Sequence, residues 1–354
     1  MNKVILWSVP LLLLSSVSVR GVSEALPDKQ AELFASPKKP TDDYLPIRSL
    51  ASIPKGEFGD KVRMGYQLFV NTQQLRGQYV GNELNCSNCH MDAGRKANAS
   101  PLWAAYLAYP AYRKKNDKVN SYQERLQGCF TYSMNGQAPD NDSPELIALS
   151  AYSYWLAMGG LMEQYQVAGE VPELSDKALV LGGKRDDFTL PEVIASAMTM
   201  DERAKLAGRG FPAIPKPQLD YSPERGAEVY KAHCQVCHGD NGQGLAIAGI
   251  YSLPPLWGPN SFNWGAGMHR VNTAANFIYE NMPFGKSIAL TNQQAWDVAA
   301  YVTSKERPQD PRLTNKGVAD LAKQYHQHQG YYGKAVDNGP LLGSQAYSVN
   351  PDKQ

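Results

Sequence analysis

The sequence predicts a mostly α-helical protein that is built from two similar domains in tandem, joined by a proline-rich linker. Three observations predict this. One five-residue cysteine motif occurs once in each half of the chain, each half begins with a helix of the same glycine and aromatic spacing, and each half ends in an apolar helix. A chain of 354 residues is also long enough for about two domains of ordinary size.

The repeated motif is Cys-x-x-Cys-His, and it is typical of a c-type haem attachment site. Two thiols one helical turn apart can form thioethers to a porphyrin, and the histidine that follows can bind the iron. A zinc half-site would need further ligands at finger spacing, which the other histidines do not provide. A redox disulfide would not need the histidine. The expected attachment residues are Cys86, Cys89, Cys234 and Cys237, and the expected proximal iron ligands are His90 and His238.

The composition and the N-terminus indicate an exported globular protein. The chain is 43% hydrophobic and 19% charged, with a formal net charge of +1, so nothing suggests nucleic-acid binding. Residues 1–25 have a basic start, an apolar run and the small-residue ending Ser23-Glu24-Ala25, as in a secretory signal peptide. No later segment is long and apolar enough to cross a bilayer. We therefore expect a periplasmic protein with no transmembrane segment in the mature chain.

The remaining chain divides into five expected segments. Residues 26–58 are an irregular lead-in, residues 59–165 the first domain, residues 166–218 the linker, residues 219–308 the second domain and residues 309–354 a polar tail on the surface. The linker ends in a run rich in proline, which is expected to be a stiff connection rather than part of a core.

Each domain is expected to begin and end with helices that cross closely at a glycine. The first helices carry Gly65 with Phe69 and Gly226 with Tyr230, and the second of them has Ser222 as N-cap and Pro223 at its first position. The last helix of the first domain begins near Ser143 and is expected to stop at Gly159-Gly160. That of the second domain opens with a capping box at Thr291 to Gln294. Together with the cysteine motifs, these helices predict two cytochrome c domains, each wrapped on one covalently bound haem.

The second axial ligand decides the chemistry of each haem. For the second haem we expect Met282, with Met268 as the competing residue. The corresponding stretch of the first domain offers Cys129 and Met134. Cys129 is favoured, because an unpaired cysteine is unusual in an exported protein and iron binds cysteine as the thiolate. The alternative is a buried structural thiol.

Several motifs resemble the dihaem thiosulfate dehydrogenases that form tetrathionate. The resemblance covers about residues 60–305. The motifs are Cys86 to Arg95, Pro101-Leu102-Trp103, Gly128-Cys129-Phe130, Ser133 to Gly136, Pro254 to Pro259, Gly265 to Met268 and Asn281-Met282-Pro283. The resemblance implies an enzyme that couples two thiosulfates to tetrathionate or catalyses the reverse. It also implies that Cys129 ligates the active-site haem and that Met282 ligates the other.

The resemblance also guides the choice of substrate-binding residues. Thiosulfate is a dianion, so cations are expected near the first haem. Arg95, five residues after His90, and Arg125, one helical turn before Cys129, are best placed by sequence, with Arg113 or Lys115 as possible additions. Ser133 and Gln137 could orient sulfonate oxygens. Asn281 stands where some relatives have a lysine that can bind iron, so a lysine and methionine exchange is not expected here.

Two other functions fit the same sequence. One is a dihaem electron carrier without catalysis, which predicts Met134 as the ligand of the first haem. The other is a SoxA-like subunit of a sulfur-oxidising complex, which needs a small cytochrome partner. For the enzyme, the expected partners are thiosulfate, tetrathionate and a periplasmic cytochrome c.

Overall fold

The structure is a computed structural model that describes residues 49–96, 98–102, 105–113, 116–167, 210–247, 250–285 and 290–349. The predicted signal peptide, most of the predicted linker, Trp103 and Lys115 lie outside these residues. The described chain is mostly helical, with two short antiparallel hairpins, so the predicted fold class is confirmed.

The first domain is organised around two long helices. These are α1 (Glu57–Val70) and α4 (Pro144–Val167), and between them lie the short helices α2 (Met91–Gly94) and α3 (Tyr122–Gly128) and the antiparallel pair β1 (Ala111–Arg113) and β2 (Lys118–Asn120). A π-helical turn, Cys129–Ser133, continues directly from α3. The 3₁₀ turns are Leu50–Ser52, Thr72–Leu75, Cys86–Asn88 and Tyr106–Ala108.

The second domain has a similar order of helices and is followed by a structured tail. Its helices are α5 (Pro223–His233), α6 (Gln235–His238), α7 (Val271–Asn281) and α8 (Asn292–Thr303), with the antiparallel pair β3 (Leu245–Ile247) and β4 (Ile250–Leu253) and the 3₁₀ turn Gly267–His269. The tail contains α9 (Val318–Tyr325). As predicted, Ser222 caps α5 with Pro223 in its first turn, and Thr291 and Gln294 form a capping box on α8.

The two domains share one helix crossing. A Cβ atom on Gly65 of α1 would lie 2.0 Å from the Ala148 carbonyl oxygen of α4, and one on Gly226 of α5 would lie 2.0 Å from the Asp297 carbonyl oxygen of α8. One turn after each glycine, an aromatic ring meets the partner helix: the ring centroids of Phe69 and Tyr152 are 5.7 Å apart, and those of Tyr230 and Tyr301 are 5.3 Å apart. The predicted repeat is therefore present in three dimensions.

Helix α4 is longer than predicted. The expectation that Gly159-Gly160 stops it was wrong, because the helix continues to Val167. A glycine inside a helix costs only about 1 kcal/mol relative to alanine, and the preceding turns are anchored by the buried side chains of Trp155 and Leu156. Among the described residues, no helix is long and apolar enough to cross a membrane.

One loop of the second domain inserts into the first. Phe262 and Ala266 belong to the hydrophobic core of the first domain. The buried Asn263 donates a hydrogen bond from Nδ2 to the Thr131 carbonyl at 2.9 Å, and the buried Asn82 donates from its Nδ2 to the Ser261 carbonyl at 3.2 Å. The π-helical turn is thus held by both domains.

The linker end and the tail are more structured than predicted. Ile214, within the prolyl stretch, is buried in the core of the second domain. The Pro215 carbonyl accepts a hydrogen bond from Trp296 Nε1 at 3.0 Å, so this stretch is part of the second domain as well as a connection.

The tail has a core of its own, in which Leu321 and Tyr332 pack on Trp264 of the second domain. Val318, Leu321, Ala322 and Tyr325 have helical spacing, so a helix in the tail was recognisable from the sequence, but its packing on Trp264 was not.

We predict that Gly226→Ala lowers the free energy of unfolding by about 1–3 kcal/mol, because the new methyl group overpacks the crossing with α8. Gly267→Ala is the control, since a Cβ atom there meets nothing within 4 Å, and it should change stability by less than about 0.5 kcal/mol. Thermal unfolding of the haem-loaded proteins, followed by circular dichroism, measures both. An equal loss in both variants would contradict the role of the crossing.

Candidate active site

Both cysteine motifs fold into the same tight turn. His90 donates its backbone N–H to the Cys86 carbonyl at 3.0 Å, and His238 donates to the Cys234 carbonyl at 2.9 Å. In the first motif the Cys86 N–H also donates to Thr72 Oγ1 at 3.0 Å. All five cysteines lie in the described part of the chain and are free of disulfides. The thiols of each pair are therefore available for thioether bonds.

The two proximal histidines are oriented by equivalent backbone carbonyls. His90 Nδ1 lies 2.5 Å from the Ser100 oxygen, and His238 Nδ1 lies 3.0 Å from the Pro254 oxygen. Each carbonyl belongs to the residue just before a Pro-Leu-Trp sequence. Since a carbonyl can only accept, Nδ1 of each ring carries the proton and Nε2 is left as the metal ligand.

Burial keeps these groups in the forms that haem attachment requires. It lowers the pKa of His90 to about 4 and also lowers the pKa of His238, so both rings are neutral ligands at neutral pH. Burial raises the pKa of Cys86 to about 12 and that of Cys89 to about 11, and the nearby Cys129 adds to both shifts. Cys129 thus lies beside the first attachment motif.

Cys129 is paired with Arg125. The guanidinium NH1 of Arg125 donates to Cys129 Sγ at 2.8 Å, and the charge of Cys129 raises the pKa of Arg125. Helix α3, which carries Arg125, starts with a capping box between Ser121 and Glu124, and Cys129 opens the π-helical turn. A cationic donor favours anionic sulfur, the form in which cysteine binds iron or attacks another sulfur.

Further residues of this site were not found from the sequence. Tyr122 is buried, and it and Tyr109 are close enough to Arg125 to raise its pKa. Asn82 and Asn263 hold the π-helical turn through its Ser133 and Thr131 carbonyls, at 2.8 and 2.9 Å. Two asparagines and two tyrosines in irregular segments have no spacing that would have marked them.

The other predicted substrate residues are placed differently. Arg95 lies 2.5 Å from Asp92 in an ion pair within its own turn. Arg113 lies over the ring of Tyr109, 5.8 Å from its centroid. Gln137 is exposed. Ser133 is partly buried at the end of the π-helical turn.

The two candidate ligands Met134 and Met282 also differ in position. Met134 is buried in the core of the first domain. Met282 directly follows α7 and packs in a small cluster between the domains with Met91, Ala99 and Phe277. Met91 is the residue after His90, so the candidate ligand of the second haem packs close to the first haem motif. Met268 contacts the same cluster.

The residues fit two bound haems. Each domain offers two free thiols and a neutral imidazole with its Nδ1 already bonded. Among the described residues, Arg270 Nε and Asn135 Nδ2 are buried donors without a hydrogen-bond partner, and the carboxylates of a haem are acceptors that match them.

Comparisons with known proteins point to one family. The cytochrome c family model matches residues 223–306. The chain is 44% identical over 338 residues to a thiosulfate dehydrogenase of Stutzerimonas stutzeri (strain A1501), which covers 95% of this chain and 97% of that protein. It is 45% identical over 293 residues to a thiosulfate dehydrogenase of Thiomonas intermedia (strain K12), covering 83% and 80%. The chain belongs to the thiosulfate dehydrogenase family.

A solved structure of this family supports the same conclusion. Thiosulfate dehydrogenase (TsdBA) from Marichromatium purpuratum, in its "as isolated" form, superposes with a TM-score of 0.70 at 40% identity. The alignment covers 87% of this chain and 59% of that one. The resemblance found from the sequence motifs is thereby confirmed, and with it the assignment as a dihaem c-type cytochrome.

Asn281, the departure noted from some relatives, connects the two domains. It is buried, and its Nδ2 donates to the Asn98 carbonyl at 2.8 Å and to the Phe277 carbonyl at 3.0 Å. At this position the chain therefore has a hydrogen bond between the domains in place of a basic group.

We predict that Met282→Leu lowers the reduction potential of one haem by on the order of 100 mV, because methionine ligation raises the potential. A redox titration followed by visible absorption measures this. Met268→Leu is the matched control and should leave both potentials in place. If Met268→Leu alone lowered a potential, the ligand would be Met268.

Proposed function

We propose that this chain is a periplasmic enzyme that oxidises two thiosulfates to tetrathionate, or catalyses the reverse, and exchanges electrons with an external cytochrome c. The observation that carries this proposal is the bond between Arg125 and Cys129 beside the first haem motif. An electron carrier needs neither a reactive sulfur nor a cation next to it. The names of the relatives support the same reaction.

Charge repulsion is the main obstacle to this reaction. Two dianions 4 Å apart repel by about 16 kcal/mol at an effective dielectric constant near 20, four times the unit-charge value. A hydrogen bond from a charged donor offsets about 1.5–3 kcal/mol of this. Arg125 is the arginine that touches Cys129 in the structure, so we assign it the first thiosulfate. Arg95 and Arg113 would contribute only at longer range, and Ser133 would orient a sulfonate oxygen.

Staging the reaction on Cys129 reduces the repulsion further. In the oxidising direction, the Cys129 thiolate and the sulfane sulfur of one thiosulfate form a sulfur–sulfur bond and lose two electrons. The adduct carries one negative charge, so the second thiosulfate meets about half the repulsion of two free dianions. It attacks the sulfane sulfur of the adduct, the bond to Cys129 breaks, tetrathionate leaves and the thiolate is restored. No proton is consumed or released.

The residues between the two domains suggest where the electrons go. When bound, the two haems take up one electron each. We infer that Cys129 is the second ligand in the first domain and Met282 in the second. Met282 packs against the same small cluster that contains Met91, the residue after His90, and this proximity supports rapid exchange between the two haems.

We predict that Cys129→Met keeps two haems per chain but loses turnover with both thiosulfate and tetrathionate. The low-temperature EPR spectrum of the oxidised protein should lose a signal of histidine and thiolate ligation. Met134→Leu is the control and should retain that signal and the activity. Turnover is measured with a redox dye in both directions.

Three other results would overturn the proposal. Full activity of Cys129→Met would exclude Cys129 from the reaction. Signals of histidine and methionine ligation alone in the unmodified protein, lost in part in Met134→Leu and accompanied by no turnover, would leave a dihaem electron carrier. Activity that required an added small cytochrome subunit would favour the SoxA-like alternative.

We predict that Arg125→Gln lowers kcat/KM for thiosulfate by about 10- to 150-fold, which corresponds to the loss of one charge-assisted hydrogen bond. Arg63→Gln is the matched control, because Arg63 is an exposed arginine of α1 paired with Asp60, and it should leave kcat/KM unchanged. Steady-state kinetics with both substrates measures the effect. Equal rates in the two variants would remove Arg125 from the site.

A further inference from the structure

Three histidines form a second cluster of chemically active side chains, away from the haem motifs in sequence. His269 ends the 3₁₀ turn of the second domain, whereas His326 and His328 follow α9 in the tail. One ring nitrogen from each lies within 4.8 Å of the others. His269 and His326 are buried and His328 is partly buried. Residues 57 and 59 positions apart thus meet in space, which the spacing of the sequence did not reveal.

Hydrogen bonds fix which nitrogen of each ring carries a proton. His269 Nδ1 faces the Ala266 carbonyl. His326 Nε2 lies 2.9 Å from Asp310 Oδ2, and His328 Nδ1 lies 3.4 Å from the Gln329 carbonyl. Carbonyl and carboxylate oxygens only accept, so these three nitrogens are the donors. In a neutral ring the other nitrogen then has a lone pair.

The remaining nitrogens point toward one another. His269 Nε2 and His326 Nδ1 are 3.1 Å apart, and with the tautomers above both present lone pairs, which repel unless a cation lies between them. His328 Nε2 is buried and, among the described residues, has no hydrogen-bond partner. In a tetrahedral zinc site with bonds of about 2.0–2.1 Å, two ligand nitrogens are roughly 3.3 Å apart. The 3.1 Å between His269 Nε2 and His326 Nδ1 is close to this distance between ligands, and metal binding would draw the His328 ring inward.

We propose that His269, His326 and His328 bind a divalent transition-metal ion, for which zinc fits best. Three neutral imidazoles and one open position are a known zinc ligand set, and imidazole is also a good ligand for copper and nickel. Asp310 is a positioning residue: it orients His326 as a carboxylate commonly orients a metal-bound histidine. Arg312 holds Asp310 in turn, through an ion pair of 2.6 Å.

The surroundings keep His269 and His328 neutral and leave a path for the metal. Burial, together with the charge of Arg270, lowers the pKa of His328 to about 3, and burial, followed by the neighbouring His326 and His328, lowers that of His269. An open depression of about 500 Å³ reaches His326 and His328, and Lys323 and Lys334 also line it. These cations favour a water-derived hydroxide or another small anion as the fourth ligand.

The consequence of this site is structural. His269 belongs to the loop that follows the segment inserted into the first domain, and the other two ligands belong to the tail. A metal ion would therefore join the tail to the second domain at a point next to the domain interface. The proposal does not depend on the reaction at Cys129.

The test is the metal content of the protein with both haems in place. We expect about one zinc for every two iron atoms by mass spectrometry of the elements, after expression with added zinc and gel filtration. His328→Gln should lose the zinc and keep both iron atoms, which also shows that it folds. His233→Gln, a change of an exposed histidine in α5, should keep the zinc.

A second variant tests the positioning residue. Asp310→Asn should retain both haems and bind zinc 10- to 100-fold more weakly in competition with a chelator. Copper or nickel at the same stoichiometry, lost in His328→Gln, would support the site with another ion. A protein that has no such metal, and takes up none from zinc chloride, would overturn the proposal. The cluster would then be a hydrogen-bonded chain in which His326 is protonated between Asp310 and His269.

Discussion

The close crossing of two helices at a glycine is the contact on which each domain depends. At Gly65 and Gly226 the backbone of one helix lies against a carbonyl of its partner, which leaves no room for a side chain. The crossing brings an aromatic ring of each first helix onto the last helix. The cysteine motif follows the first helix in both domains, so the crossing also sets where each haem is bound.

The interface between the domains gives the site its asymmetry. The same helical unit occurs twice, but within the described residues only the first carries a π-helical turn that begins with a cysteine. The Ser133 and Thr131 carbonyls of that turn accept hydrogen bonds from Asn82 of the first domain and Asn263 of the second. At the same interface, Asn281 and Met282 bring the end of α7 to the loop after His90. This asymmetry supports the proposal that the first unit carries out the chemistry and that the second transfers electrons.

The tail is part of this arrangement. Its core packs on Trp264, and Arg312 lies over the ring of Tyr132 in the π-helical turn, 5.2 Å from the ring centroid. The three histidines that we assign to a metal ion lie where the tail meets the second domain. Although its sequence is mostly polar, the tail therefore supports the domain interface. It does so through a few large side chains and through charged groups that are buried in pairs.

The sequence by itself determined what depends on neighbours along the chain. The cysteine motifs, the caps of α5 and α8, the glycines of the crossings and the candidates Cys129, Met282 and Arg125 are all recognisable at short spacing, because covalent attachment, capping and helical turns act over a few residues. Only the tertiary structure decided that Arg125 rather than Arg95 touches Cys129, that Asn82 and Asn263 support it, and that His269 meets His326 and His328. Most of these contacts join residues that are far apart in sequence, and only the packing of the domains brings such residues together. The sequence also offered both arginines as candidates, and only the packing shows which of them reaches Cys129.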